Sequence, residues 1–288
     1  VLVADYLNRR ARRVTSEGGT TTIGGADGPT LPDPPRGIIT ARDGRVIVML
    51  SNRVCVLAAD GTLTTLAGDH ERGGFVDGHG EAARFWAPRS IAEGPDGRIY
   101  VADPGNHAIR CVHRDGTVTT IAGRPWEVDR SGDLIDAASI DGTIAVARFH
   151  HPSSIAVAPD GTIYVGEECG GCVRQICGGK VSTIWRGDFR EVYRNRACAL
   201  LVDGNLLYVA AGDSIFTIAI GTLAEQEEAR YYPALQTWAL MQEERPELTL
   251  VADETRSAQE ARARGALRLL MNCSIPDILV RTLRFLYD

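Results

Sequence analysis

The sequence is almost without lysine, since Lys180 is the only lysine among the 31 basic residues of the 288-residue chain. It also lacks any apolar run close to the ~20 residues that a transmembrane helix needs. Its 31 glycines have no three-residue period, which excludes a collagen-like chain. With 44% hydrophobic and 24% charged residues, the composition excludes intrinsic disorder. These features indicate a globular protein with no membrane span and enough apolar content for a sizeable core.

The first residues carry Asp5 and four arginines within thirteen positions, which is not the pattern expected of a secretory signal peptide. The odd number of cysteines also disfavours a complete disulfide framework, and the seven are Cys55, Cys111, Cys169, Cys172, Cys177, Cys198 and Cys273. Thiols scattered through apolar strand patterns are typical of a reducing compartment. We therefore expect an intracellular, cytoplasmic protein.

Internal repeats define the fold class. Three segments can be aligned with one another, and they are Pro35–Gly68, Pro88–Gly123 and Pro152–Gly187. Each contains four short runs rich in β-branched residues, which in the second segment are Ser90–Glu93, Ile99–Ala102, Ala108–Val112 and Val118–Ala122. Asp-Gly steps, which favour tight hairpin turns, separate the runs. Each segment is therefore predicted to form a four-stranded antiparallel sheet, and radial packing of such sheets makes an all-β propeller.

Two partial units flank the three complete ones. Val1–Gly25 matches the repeat from its second strand onward, and Ala197–Ile220 matches the first three strands. The prediction is therefore about five blades, two of them incomplete, in a propeller domain over residues 1–220. Because the first unit begins in mid-blade without an initiating Met, we expect either a fragment or an upstream segment.

The segment Tyr100–Arg110 has the sequence YVADPGNHAIR, which resembles the signature of NHL repeats. The connectors Gly73–Pro88 and Ser139–Pro152 also resemble the "DG…A.F..P" segment that precedes an NHL strand. Departures occur where Arg9 takes the place of the histidine and Glu167 that of the aspartate. The resemblance implies a propeller that usually has six blades, so the five seen here could be part of six.

Residues 221–288 lose the two-residue period of strands and predict a helical C-terminal extension. Its end, Ser274–Asp288, resembles the last helix of BTB domains, which implies a truncated or degenerate BTB-like unit. A helical cap packed on the propeller is the alternative. Leu248–Val251 is a strand candidate that could instead close the propeller ring.

A CxxC pair is the sharpest local motif, formed by Cys169 and Cys172 with Cys177 nearby. Two such thiolates could share a zinc ion or act as a redox pair. Zinc sites need four ligands, and neither a second CxxC nor a spaced histidine pair follows. Buried or loop cysteines are the simpler interpretation, so we predict neither a metal nor a cofactor.

Two other function classes stay open. Some NHL-type propellers are metal-dependent lyases or hydrolase-like enzymes, but among the first strands predicted to line the axis only Glu93 is ionisable. Other NHL propellers bind RNA, and Arg9 and Arg10 belong to the densest positive run. Alternate residues of a strand point to opposite faces, which divides that run. The net charge of −6 also disfavours nucleic acid.

The function predicted from the sequence is therefore a non-enzymatic interaction scaffold. Its loops would bind a protein partner, within a larger assembly. The long connectors Asp69–Ala87 and Arg124–His151 are the predicted contact surface. Candidate contact residues are Phe75, Trp86, Trp126, Phe149, Arg9 and Arg10, since aromatic residues and arginine carry much interface energy. Packing between blades is the alternative for Trp86 and Phe149.

Overall fold

A computed structural model describes residues 1–15, 17–23, 30–128, 134–135, 138–187, 197–211 and 214–220. Over these residues the chain forms five antiparallel sheets, which are the blades of a β-propeller, and one small hairpin. The predicted all-β propeller with about five blades is therefore confirmed. The helices and the BTB-like segment predicted for residues 221–288, including Leu248–Val251, lie outside the described residues.

The blades follow one another along the chain. Blade 1 contains β1 (Leu2–Asp5), β2 (Arg10–Val14) and β3 (Thr20–Thr22). Blade 2 contains β4 (Pro35–Thr40), β5 (Val46–Leu50), β6 (Arg53–Leu57) and β7 (Leu63–Gly68). Blade 3 contains β8 (Gly78–His79), β9 (Ser90–Glu93), β10 (Ile99–Asp103), β11 (Ala108–Val112) and β12 (Thr117–Gly123).

The hairpin between blades 3 and 4 contains β13 (Glu127–Val128) and β14 (Leu134–Ile135). Blade 4 contains β15 (Gly142–Thr143), β16 (Pro152–Val157), β17 (Ile163–Glu167), β18 (Cys172–Cys177) and β19 (Lys180–Arg186). Blade 5 contains β20 (Ala197–Asp203), β21 (Leu206–Ala211) and β22 (Ser214–Ala219). Blades 3 and 4 differ from the predicted four-stranded unit, because the connector before each adds a short outer strand, β8 or β15.

The Asp-Gly turn between β20 and β21 is the predicted tight hairpin, with Asp203 paired to Leu206, whereas the other Asp-Gly turns are wider. In the turn between β4 and β5, the N–H of Ala41 donates to the carbonyl of Arg45, and only Gly44 has positive φ, at 86°. The Asp43 carboxylate accepts the N–H of Arg45 at 3.1 Å. Aspartate thus contributes a side-chain acceptor to the turn, whereas glycine supplies the left-handed conformation.

Apolar layers between adjacent blades form the core. On blade 3, Val101 and Val112 face blade 2, whereas Ala102 and Cys111 on the same strands face blade 4. Both faces of the sheet are therefore buried, which is the reason that isolated sheets of this kind would not be stable. Burial of this apolar surface is the main source of the fold's stability.

The strands β4, β9, β16 and β20 of blades 2 to 5 contact one another in succession, β4 with β9, β9 with β16, and β16 with β20. They surround the propeller axis, as the repeat predicted. The described part of the chain has two short 3₁₀ helices, Gly80–Ala82 and Pro104–Asn106, and offers no helix with the length and hydropathy of a transmembrane span.

Candidate functional site

A fully buried arginine anchors the connector that precedes blade 3. The Arg110 guanidinium forms ion pairs with Asp77 at 2.7 Å and with Asp103 at 3.2 Å. It also donates to the backbone carbonyls of Val76 and Arg84, each at 2.9 Å. Asp103 belongs to the blade and Asp77 to the connector, so one side chain joins the two.

Blade 4 repeats this anchor with Arg174, which is also fully buried. Its guanidinium pairs with Asp141 at 2.7 Å and with Glu167 at 2.6 Å. It donates to the carbonyls of Ile140 at 2.9 Å and Arg148 at 3.0 Å. The glutamate that replaces aspartate in this repeat therefore keeps the ion pair.

The pKa values of the two carboxylates of each anchor shift in opposite directions. It raises the pKa of Asp103 to about 6, although bonds from Asn106, Trp86 and Arg110 work against the rise. Burial also raises the pKa of Glu167. For Asp77, burial acts to raise the pKa, but bonds from Arg110 and from Thr120 outweigh it and hold the pKa below its ordinary value. Asp77 on the connector is therefore ionised at a lower pH than Asp103 on the blade.

The anchored connectors present apolar side chains to solvent. Trp86 is 59% exposed on the first connector and Val146 is 55% exposed on the second. Among the described residues, nine large hydrophobic side chains are exposed. Six of these nine lie on the two connectors, and they are Phe75, Val76, Trp86, Ile140, Ile144 and Val146. Such a concentration of apolar surface marks the connectors as a candidate interaction surface.

Each connector is also held by the blade before it, through a bond that we call a latch. In the first latch, the Asn52 side-chain oxygen accepts the N–H of Ala87 at 2.9 Å. In the second latch, Nδ1 of His107 accepts the N–H of His151 at 3.2 Å. Ala87 and His151 occupy equivalent positions, with φ of 51° and 52°. The latches therefore perform the same structural task with different acceptors.

The second latch lies in a cluster of three imidazoles and one indole. The rings of His107 and Trp126 stack with centroids 3.8 Å apart and an interplanar angle of 8°. His151 approaches His107 edge-on at 4.5 Å, and His150 approaches Trp126 edge-on at 4.6 Å. The Trp126 indole N–H donates to the carbonyl of Phe149 at 3.3 Å. The connector and blade 3 thus meet through packed rings.

Burial keeps this cluster uncharged near neutral pH. It lowers the pKa of His107 to about 4, and the nearby His151 and His150 add to the decrease. Burial likewise lowers the pKa of His150 and of His151. A neutral His107 agrees with the latch geometry, since Nδ1 can accept a hydrogen bond only when it carries no proton.

The predicted aromatic contact residues have different positions. Trp86 is exposed, Phe75 lies over Arg110 with its ring centroid 4.9 Å from the guanidinium carbon, and Trp126 belongs to the ring cluster. The prediction of Phe149 as a contact residue is wrong, because its side chain is fully buried in the core between blades 3 and 4. Packing between blades was the alternative for this residue, and the structure shows it.

Several features of the surface were not predicted. Ile140, Ile144 and Val146 lie on the second connector without aromatic character to distinguish them. The recurrence of Arg110 and Arg174 in the aligned repeats was a usable signal for the anchors. The latch was harder to find, because Asn52 and His107 are unlike in type.

The three candidate metal-binding cysteines do not converge. Cys172 is buried, its Sγ lies 3.5 Å from a Glu167 carboxylate oxygen, and burial raises its pKa to about 12. Cys169 and Cys177 are exposed, and Cys177 lies at the other end of β18 from Cys172. Within the described ranges, no group of three or more His, Cys, Asp or Glu residues is placed to hold a metal ion.

The N-terminal arginines are divided as their alternation predicted. Arg12 is half-buried and pairs with Asp5 at 2.6 Å, whereas Arg13 is exposed. The predicted contact residues Arg9 and Arg10 are exposed and half-buried, and Arg9 donates to the carbonyl of Pro32 at 3.4 Å. Near the axis, Glu93 accepts the backbone N–H of Arg42 at 2.7 Å.

The described structure defines a five-bladed β-propeller with two anchored and latched connectors. Its solved structural neighbours include a protein of unknown function from Bacteroides thetaiotaomicron, with a TM-score of 0.55 and 19% identity over 73% of this chain and 56% of that one. A gluconolactonase from Xanthomonas campestris has a TM-score of 0.54 and 15% identity over 76% of this chain and 68% of that one. At these identities the likeness shows the fold alone.

Curated proteins with similar sequence include teneurin-3 of Mus musculus, which is 32% identical over 97 residues. Teneurin-3 of Danio rerio is 37% identical over 76 residues. These matches cover 32% and 25% of this chain, but 4% and 3% of the relatives, so the chain spans a small part of their length. No protein-family model matches the chain.

Proposed function

We propose that this chain is a non-enzymatic scaffold of the NHL-repeat type, whose two connectors bind a protein partner within a larger assembly. The observation that carries the proposal is the concentration of exposed apolar side chains on the connectors. Exposed tryptophan is typical of interaction sites.

The anchoring of the connectors supports the same function. Arg110 and Arg174 fix the connector backbone by four bonds to main-chain carbonyls. A loop that is already ordered loses little conformational entropy when a partner binds. The connectors therefore resemble preorganised recognition loops on a rigid frame.

The other two functions have weaker support in the described residues. The likeness to a gluconolactonase extends to the fold, and Glu93 is engaged by the backbone of Arg42. The N-terminal arginines point to both faces of blade 1, which leaves no continuous positive surface there for a phosphate backbone.

Photo-crosslinking from the connector tests the proposal. A benzophenone amino acid at Ile144 should crosslink a protein partner in an extract of the source cells, and mass spectrometry would identify it. Val146→Glu and Trp86→Glu should each decrease the crosslink at least tenfold, because a buried charge opposes an apolar contact. Leu7→Glu is the matched control, since Leu7 is 80% exposed on blade 1 and should leave the crosslink unchanged.

Three results would overturn the proposal. The first is a crosslink that persists in both connector variants, and the second is the absence of any crosslink from Ile144 in the wild type. The third is turnover of a lactone by the purified chain, because it would make the protein an enzyme.

A further inference from the structure

We propose that the bond between His107 and His151 is an acid-sensitive latch, which holds the end of the second connector against blade 3 near neutral pH and releases that end on acidification. The inference rests on the proposed function, because the released end belongs to the connector whose surface we assign to the partner. It identifies acidity as the regulator of that surface.

The geometry of the bond makes it dependent on protonation. Nδ1 of His107 accepts the N–H of His151, which assigns the ring proton of the neutral imidazole to Nε2. A second proton would occupy Nδ1 and turn the acceptor into a donor. Two donors would then face each other across 3.2 Å, and the latch could not remain closed.

The charged and titratable groups around the latch reinforce this response. The rings of His150 and His151 lie 6.4 Å and 4.5 Å from that of His107, so protonation adds like charges within one cluster. Next to His151, Arg89 and Glu168 form an ion pair, in which Glu168 favours and Arg89 opposes a charge on His151.

Two further carboxylates lie on the packed segments, and each already has a partner. Glu167 accepts the backbone N–H of His150 and pairs with Arg174. On the segment that carries Trp126, Glu127 pairs with Arg124 at 2.5 Å. Among these three glutamates, Glu168 is the one that favours protonation of the cluster, and it does so through His151 rather than through His107.

Burial lowers the pKa of His107 to about 4, whereas the same side chain on blade 3, exposed by an open connector, would titrate near its ordinary value of 6.5. Protons therefore favour the open connector between these two pH values. By linkage, the ratio of open to closed connector increases by up to about tenfold for each pH unit below 6.5.

The first latch supplies an internal reference. Its acceptor is the side-chain amide of Asn52, which does not titrate. Because the two latches hold equivalent connectors, acidification should loosen the second and leave the first closed.

Hydrogen–deuterium exchange of the whole chain tests the proposal at pH 7, 6 and 5. The variant His107→Asn keeps an acceptor and removes the titration. At each pH, the wild type is compared with this variant, so that the intrinsic pH dependence of exchange cancels. In residues 138–152, wild-type exchange should rise relative to the variant by up to about tenfold per pH unit. In residues 73–88, the two proteins should exchange alike.

A constant ratio over this pH range in residues 138–152 would overturn the proposal. If His107→Asn does not fold, Asn52→His decides the question, because it should make residues 73–88 acid-sensitive. NMR of the wild type is a second measurement that needs no variant. It should show His107 as the Nε2–H form at pH 7, with a pKa below 6.5, and an ordinary titration would contradict the latch.

The exchange and NMR experiments use no partner, so they fail independently of the crosslinking test. A latch that opens while Ile144 forms no crosslink would leave the acid response standing and overturn the proposed function. A crosslink from Ile144 together with a latch that does not open on acidification would support the interaction surface and overturn its proposed regulation by acid.

Discussion

The two connectors share one architecture and differ in the chemistry of one bond. A buried arginine fixes each connector to the blade that follows, and a latch ties each to the blade that precedes. The latch acceptor is an amide in the first case and an imidazole in the second. The fold requires only an acceptor at this place, so the residue that supplies it can give one connector a property that the other lacks.

The largest loss of stability is expected on removing the buried arginine anchors, which both connectors have. Arg110→Ala and Arg174→Ala should each decrease the free energy of unfolding by about 3–5 kcal/mol, because Asp103 or Glu167 would remain buried without its partner. Urea denaturation gives the values. A loss below about 1 kcal/mol for either variant would show that the anchors are not needed.

A somewhat smaller loss of stability is expected at the glycines that end blades 2 and 3. At Gly123, with φ of 86°, an added Cβ would lie 2.4 Å from the carbonyl oxygen of His107. At Gly68, with φ of 94°, it would lie 2.3 Å from the oxygen of Asn52. Each glycine→alanine variant should therefore lose about 2–3 kcal/mol in urea denaturation.

Gly44 is the matched control for these two variants, because its φ is 86° and no atom lies within 4 Å of an added Cβ. Gly44→Ala should lose about 1 kcal/mol, from the left-handed conformation alone. Equal losses at all three positions would mean that the close contacts cost nothing.

The pH dependence of stability separates the connectors. The folded pKa of His107, about 4, lies below its ordinary value of 6.5, so the unfolded chain binds more protons between these values. The contribution of neutral His107 to the free energy of unfolding is complete above pH 6.5 and is lost as the pH falls toward 4. We expect the wild type to lose about 1–2 kcal/mol relative to His107→Asn between pH 7 and pH 4.5.

The raised pKa of Asp103 acts in the opposite direction, because the folded chain then binds more protons between pH 4 and pH 6. It acts in the wild type and in the variant alike, so the difference between their urea midpoints reports on His107. Parallel pH profiles for the two proteins would contradict this prediction.

The smallest loss of stability is expected from breaking the ion pair of blade 1. Arg12 pairs with Asp5 as Arg110 pairs with Asp103, but the two side chains are 32% and 20% exposed. Arg12→Ala should lose no more than about 1 kcal/mol in urea denaturation. A loss as large as that of Arg110→Ala would show that solvent exposure does not weaken the pair.

The blades could be predicted from the sequence because their signals are local. Ser90–Glu93 agrees with β9, and Ile99–Ala102 differs from β10 by one residue. The latches could not be predicted in this way, since His107 and His151 are 44 residues apart and meet only when a connector crosses from one blade to the next. The burial of Phe149 between blades was the alternative that its place in the repeat offered, and the structure shows it.

The anchoring arginines bind backbone oxygens of the connectors, at positions 76 and 84 in one repeat and 140 and 148 in the other. Such contacts do not depend on the side chains at those four positions. Natural variation or engineering could therefore alter what the connectors display while the frame that holds them stays intact. A propeller built in this way can change the exposed residues of its loops while its blades keep the same structure.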